Sequence, residues 1–110
     1  MADVSNEAIK AFAERFNACT VRIGGGKIAL DTKALRQLVK ENRETAARFV
    51  EIYCLQGQSN HAYFQGAMTV AVAYQVAFGD SSLAESVFER AKAAGAEDWL
   101  QKMGVLKRPV

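Results

Sequence analysis

An enzyme built on acid, base or nucleophilic chemistry needs a few side chains that can meet, and the candidates here are sparse. His61 is the one histidine, and Cys19 and Cys54 stand 35 positions apart in apolar settings. That spacing fits two reduced, buried thiols better than a disulfide framework or a zinc site, which needs ligands at short intervals. His61 follows Ser59 and Asn60 at the start of a helical pattern, which suits a capping role, and a convergence of His61, Tyr63 and Cys54 on one pocket is the arrangement an enzyme or ligand binder would require. Gly24-Gly25-Gly26-Lys27 has the glycines and the lysine of a phosphate loop. It lacks the longer loop, the Ser or Thr after the lysine and the immediate helix start, so it reads as a hairpin turn.

The remaining chemistry is electrostatic. Lys33, Arg36, Lys40 and Arg43 recur at steps of three, four and three, which places them on one side of a helix, with Arg22 and Lys27 extending the stripe from a neighbouring hairpin. Between Arg22 and Arg48 seven basic residues meet three acidic ones, an excess of four in a chain whose formal net charge is only +2. Such a face is suited to nucleic acid or to an acidic protein surface. A solvated helix flank carries similar mixed charge, with Glu41 and Glu44 as partial neutralisers.

These residues must be positioned by helices. Ser5 is a good N-cap, Val4 and Ile9 can form a hydrophobic staple, and Ile9, Phe12, Ala13 and Phe16 repeat at helical spacing to about Ala18. Thr20 to Ile23 and Lys27 to Leu30 alternate apolar with other residues around the glycines, which predicts a β-hairpin at about 20–30. A four-residue loop would pair Ile23 with Ile28 and Val21 with Leu30, and a two-residue loop would pair Val21 with Ile28. Either choice sends the same residues inward.

Asp31 or Thr32 caps a second helix whose apolar stripe runs from Leu35 through Tyr53, predicting one long helix to about Gln56, with a break at Asn42 as the alternative. After the turn Gly57-Gln58-Ser59-Asn60, the segment Ala62–Phe78 lies in a stretch without a formal charge and is apolar all round the helical wheel, so a helix buried on every side is expected. Gln65, Gly66, Thr69 and Gln75 make it too short and too polar for a membrane span. Gly79 stops it, and Ser82 with Glu85 matches a capping box that opens the next helix. Gly95 ends that helix, and Glu97 to Met103 makes a short last one with Trp99 as a lid on the core or a partner anchor.

With 110 residues, 50% of them hydrophobic and 24% charged, the chain is expected to be a single mainly α domain, residues 1–110. The expected architecture is a compact bundle of about five helices around a buried central helix, with a small β-hairpin. The start Met1-Ala2-Asp3-Val4 has no basic, apolar leader, so a cytoplasmic address is expected. No cofactor and no metal are expected. The leading functional expectation is a non-enzymatic protein acting by binding another macromolecule, as adaptors, immunity proteins and phage-type inhibitors or regulators do. A nucleic-acid binder using the basic stripe is the first alternative and a small enzyme or ligand-binding domain the second. A homodimer through the hairpin edge or an apolar helix face is expected, because an isolated two-stranded ribbon is marginal in water.

Overall fold

A computed structural model describes residues 4–23 and 27–96, with the backbone alone described at 20–23 and 27–29. The first helix, α1 (Asn6–Ala18), starts where Ser5 Oγ accepts from the Ala8 amide at 3.1 Å, satisfying one of the unpaired N–H groups of the first turn. Strands β1 (Thr20–Ile23) and β2 (Lys27–Leu30) pair antiparallel, and the Asp31 amide extends the ladder by donating to the Cys19 carbonyl at 2.7 Å. Their register is Val21 with Ala29, Arg22 with Ile28 and Ile23 with Lys27. Neither expected pairing occurs, because three residues separate the strands. An odd connection shifts the register by one from that of a two- or four-residue loop, and in any hairpin such a shift changes which positions share a face.

The second helical stretch is broken, not continuous. α2 (Thr32–Glu41) is capped by Asp31 Oδ1, which accepts from the Ala34 amide at 3.0 Å, and α3 (Arg43–Gly57) begins after a single intervening residue. That residue, Asn42, sits at φ −133°, ψ 51°, and its side-chain amide donates to the Leu38 carbonyl at 2.9 Å. Asn competes for local backbone groups and so ends helices more readily than it continues them. The break ends α2, and Arg43 starts a new helix.

Helix α4 (Ala62–Phe78) packs most heavily on α3, then on α5 (Ser82–Ala93) and α2, while α1 lies against α3. Phe64, Met68, Val70, Ala71 and Tyr74 of α4 are buried together with Phe49 and Cys54 of α3, Leu35 of α2 and Val87 of α5. The result is a compact, mainly helical bundle of 36 × 34 × 29 Å. Gly79 leaves α4 in the left-handed conformation at φ 66° while its amide donates to the Gln75 carbonyl. Gly95 does the same for α5 at φ 75°, with the Ala96 amide reaching back to Ala91 in a Schellman closure.

Two expectations need correction. The start of α5 is not a Ser82–Glu85 box. Ser82 is already the first helical residue, its amide donates to Asp80 Oδ1 at 2.9 Å, and Ser81 Oγ donates to Glu85 at 3.0 Å. The aspartate one residue farther back competes better for the first amide, and these hydrogen bonds from Ser82 hold its carboxyl below the usual aspartate range. Nor is α4 covered all round, since Val72 is 37% and Val76 58% exposed. The expected short helix at 97–103, with Trp99, Leu100 and Met103, lies outside the described residues.

Candidate binding groove

The open side of α4 is a stripe of Gln65, Thr69, Val72 and Val76, at steps of four, three and four, and it borders a valley that lies against α1 and α3 at one end and against α2 over the rest. Three hollows line up along it. Phe16, Tyr53, Tyr63, Asn60 and Gly66 line an open hollow of about 540 Å³ at one end. A middle section of about 450 Å³ runs between Leu30, Thr32, Leu35 and Arg36 on one side and Thr69, Val72 and Val76 on the other. A shallower end of about 240 Å³ has Lys33, Arg36, Gln37 and Lys40 over Val76 and Ala77. Leu30 and Thr69 are shared by the first two hollows, and Arg36 and Val76 by the last two, so the three adjoin in series along α4 and are treated as one groove.

The aromatic end is built by packing. The rings of Phe49 and Tyr53 lie 4.1 Å apart between centroids, Phe16 meets Phe49 edge-on at 5.5 Å, and Tyr63 stands at 83° to Tyr53 at 5.1 Å. Gly66 lets Tyr53 lie against α4, because a β-carbon there would come within 2.9 Å of the Tyr53 ring. Burial and the neighbouring Tyr63 push the Tyr53 phenol above its ordinary pKa, so it stays a neutral wall at physiological pH.

At the other end the charge is positive. Lys33, Arg36 and Lys40 project from the exposed side of α2, and among the described residues none of the three is ion-paired. Among the described residues, Arg36 Nε donates to the Thr32 carbonyl at 3.4 Å. The one ion pair among the described residues is Arg48 with Glu51, half exposed and of a kind worth at most about 1 kcal/mol.

Arg43, placed on the same stripe by its spacing, is engaged elsewhere. The break at Asn42 puts it at the start of α3, where Nε donates to Tyr74 Oη at 3.0 Å and the guanidinium lies 4.5 Å from the Phe78 ring centroid. For Arg22 and Lys27 the backbone register is defined, opposite Ile28 and Ile23, and their side chains lie outside the described set. Among the described side chains, the row that lines the groove is Lys33, Arg36 and Lys40.

Of the trio considered for catalysis, Tyr63 alone lines the groove. Cys54 is in the core, where desolvation pushes its thiol up against a weaker opposing pull from Arg90, and His61 packs toward Phe64 at 6.3 Å between ring centroids. Cys19 is also buried, its thiol donating to the Arg15 carbonyl and held above the ordinary range by desolvation. Both thiols are thus poor nucleophiles near neutral pH. Among the described residues, no three His, Cys, Asp or Glu side chains are grouped to hold a metal ion, and no helix is long and apolar enough to cross a membrane.

Sequence reasoning overlooked Val72, Val76 and the Phe16–Tyr53–Tyr63 wall. A signal for the first two was present, since Gln65 and Thr69 lie one turn apart on the face that Val72 and Val76 continue. Comparison with known protein families, curated proteins and solved structures gives no match.

Proposed function

We propose that this chain is a non-enzymatic interaction domain that binds another protein along the α2–α4 groove. The observation that carries this is the pairing of exposed Val72 and Val76 with the cationic row of Lys33, Arg36 and Lys40 in one continuous valley. A grouped apolar surface rimmed by charge is the usual form of a protein-binding site, whereas scattered single exposures carry no such meaning. Leu55, 61% exposed on α3 outside the groove, is an example of the latter.

Two buried reduced thiols fit action in a reducing compartment, the cytoplasm. A homodimer through an edge of the β1–β2 ribbon is compatible with this function. Light scattering that returned a monomer mass would remove that element.

The test is quantitative affinity capture from native-host extract with four baits: the natural chain, Val76→Asp, Arg36→Glu and Leu55→Asp. A host protein retained by the natural chain and by Leu55→Asp, and depleted about tenfold by each groove variant, is the expected result. Retention that ignores Val76 and Arg36 would end the proposal. A gel shift with duplex DNA and with RNA runs beside it. Salt-sensitive binding abolished by Arg36→Glu would transfer the groove to the nucleic-acid alternative.

A further inference from the structure

We infer that the occupant of the groove is an acidic amphipathic α-helix of the partner protein, lying along α4 with its carboxylates over Lys33, Arg36 and Lys40. The inference rests on the interaction reading above and names the chemistry of the partner. Three observations carry it.

The first is shape. Among the described residues α4 packs on α2, α3 and α5 and leaves Val72 and Val76 exposed, so the groove along that face is the place where a bundle would seat its next helix. Ala62 to Ala77 of α4 border it, 16 residues that at 1.5 Å per residue span about 24 Å, room for a visiting helix of similar length.

The second is apolar spacing. Val72 and Val76 are one turn apart and continue into the Leu30 and Phe16–Tyr53–Tyr63 end. A visiting helix would meet them with apolar residues at i, i+3 or i+4 and i+7, the last and largest entering the aromatic end.

The third is charge complementarity. Lys33, Arg36 and Lys40 repeat at steps of three and four along two turns, unpaired by any acid among the described residues. Carboxylates at the same helical spacing on the visitor's flank would meet them. A second copy docked with its cationic end over that of the first would instead bring two positive rows together, at a cost in like-charge contact.

The experiment is a selection of displayed helix-biased peptides on the intact chain. Each peptide carries apolar residues at i, i+3, i+4 and i+7 and a free choice of Glu, Gln or Lys at its flanking positions. In parallel, p-benzoylphenylalanine at position 76 captures whatever lies over α4. Selection on the natural chain is expected to enrich Glu at the flanks, and selection on the Lys33→Glu, Arg36→Glu, Lys40→Glu variant to enrich Lys. Binding of the Glu-rich winners should fall by about tenfold or more on that variant and on Val76→Asp.

Enrichment that depends on Val76 and ignores flank charge would overturn the acidic helix while leaving the interaction reading intact. Enrichment independent of Val76 would overturn both. Photocapture of the chain's own residues, of a second copy or of added duplex DNA in preference to the acidic peptide would each overturn the inference. A circular dichroism melt of every variant separates loss of binding from loss of fold.

Discussion

Replacing Phe49 with alanine is expected to remove about 3–5 kcal/mol of folding stability, the largest effect of any single change considered for this chain. Phe49 is fully buried on α3, and its ring centroid lies 5.0 Å from that of Phe12, 5.5 Å from Phe16 and 4.1 Å from Tyr53. Both phenylalanines of that set belong to α1, whose main helical neighbour is α3. Truncation therefore loses the transfer energy of a phenyl ring and leaves a cavity where α1 is attached. Each aromatic pair adds about 0.5–1.5 kcal/mol beyond simple burial. Against a total stability of order 5–15 kcal/mol for such a domain, the loss is large, and the melting temperature should drop by on the order of 15 °C. Urea titration followed by far-UV circular dichroism measures it. A midpoint shift equivalent to less than about 1 kcal/mol would mean that the site collapses around the missing ring. The same substitution frees Tyr53, a wall of the groove, so bound peptide should be held more weakly even at temperatures where the variant is folded.

Phe49 also illustrates which parts of this molecule are legible in its sequence. Its place in the stripe of Ala46, Phe49, Val50 and Tyr53 follows from helical spacing, and all but Tyr53 of that set are buried in the fold. The caps at Ser5 and Asp31 and the stops at Gly79 and Gly95 were readable for a related reason. Each depends on one side chain, or one backbone angle, acting on its immediate neighbours. Asn42 is an intermediate case. Its residue type marked a break as the alternative, yet the apolar stripe ran through it without losing phase, and the sequence-based preference for one continuous helix followed the stripe.

The groove lies beyond that kind of reasoning. An apolar wheel around α4 says that burial is favourable on every side, but the number of helices available to cover it is a tertiary fact, and the described bundle leaves Val72 and Val76 open. The basic stripe suffered in the same way. Lys33, Arg36 and Lys40 stay together because they share α2, while the single-residue break at Asn42 turns Arg43 toward Tyr74 and Phe78. A spacing rule holds along one helix axis and lapses at the first kink. The Phe16–Tyr53–Tyr63 wall draws on three different helices, so no local pattern could have joined it.

The same contrast between local preference and tertiary packing decides the expected effect of Gly57→Ala. Gly57 ends α3 without a left-handed backbone angle, so by local preference alone alanine should be the better residue there, by roughly 0.5–1 kcal/mol. Its surroundings oppose this. A β-carbon at position 57 would stand 2.7 Å from two atoms of the Phe64 ring and 2.8 Å from a third. Phe64 is wholly buried on α4, so its ring has no solvent to swing into, and the two helices, the most heavily packed pair in the bundle, must separate at this end. Overpacking of this kind costs about 1–3 kcal/mol, which outweighs the helical gain and makes the substitution destabilising by about 1–2 kcal/mol. The assignment of cause is checked by a double-mutant cycle with Phe64→Leu. Trimming the ring should recover much of the loss, giving a favourable coupling of about 1 kcal/mol between positions 57 and 64, within the range seen for residues in contact. A stabilising Gly57→Ala, or a cycle with no coupling, would show that the ring yields and that α3 and α4 are not held at this distance by the missing side chain.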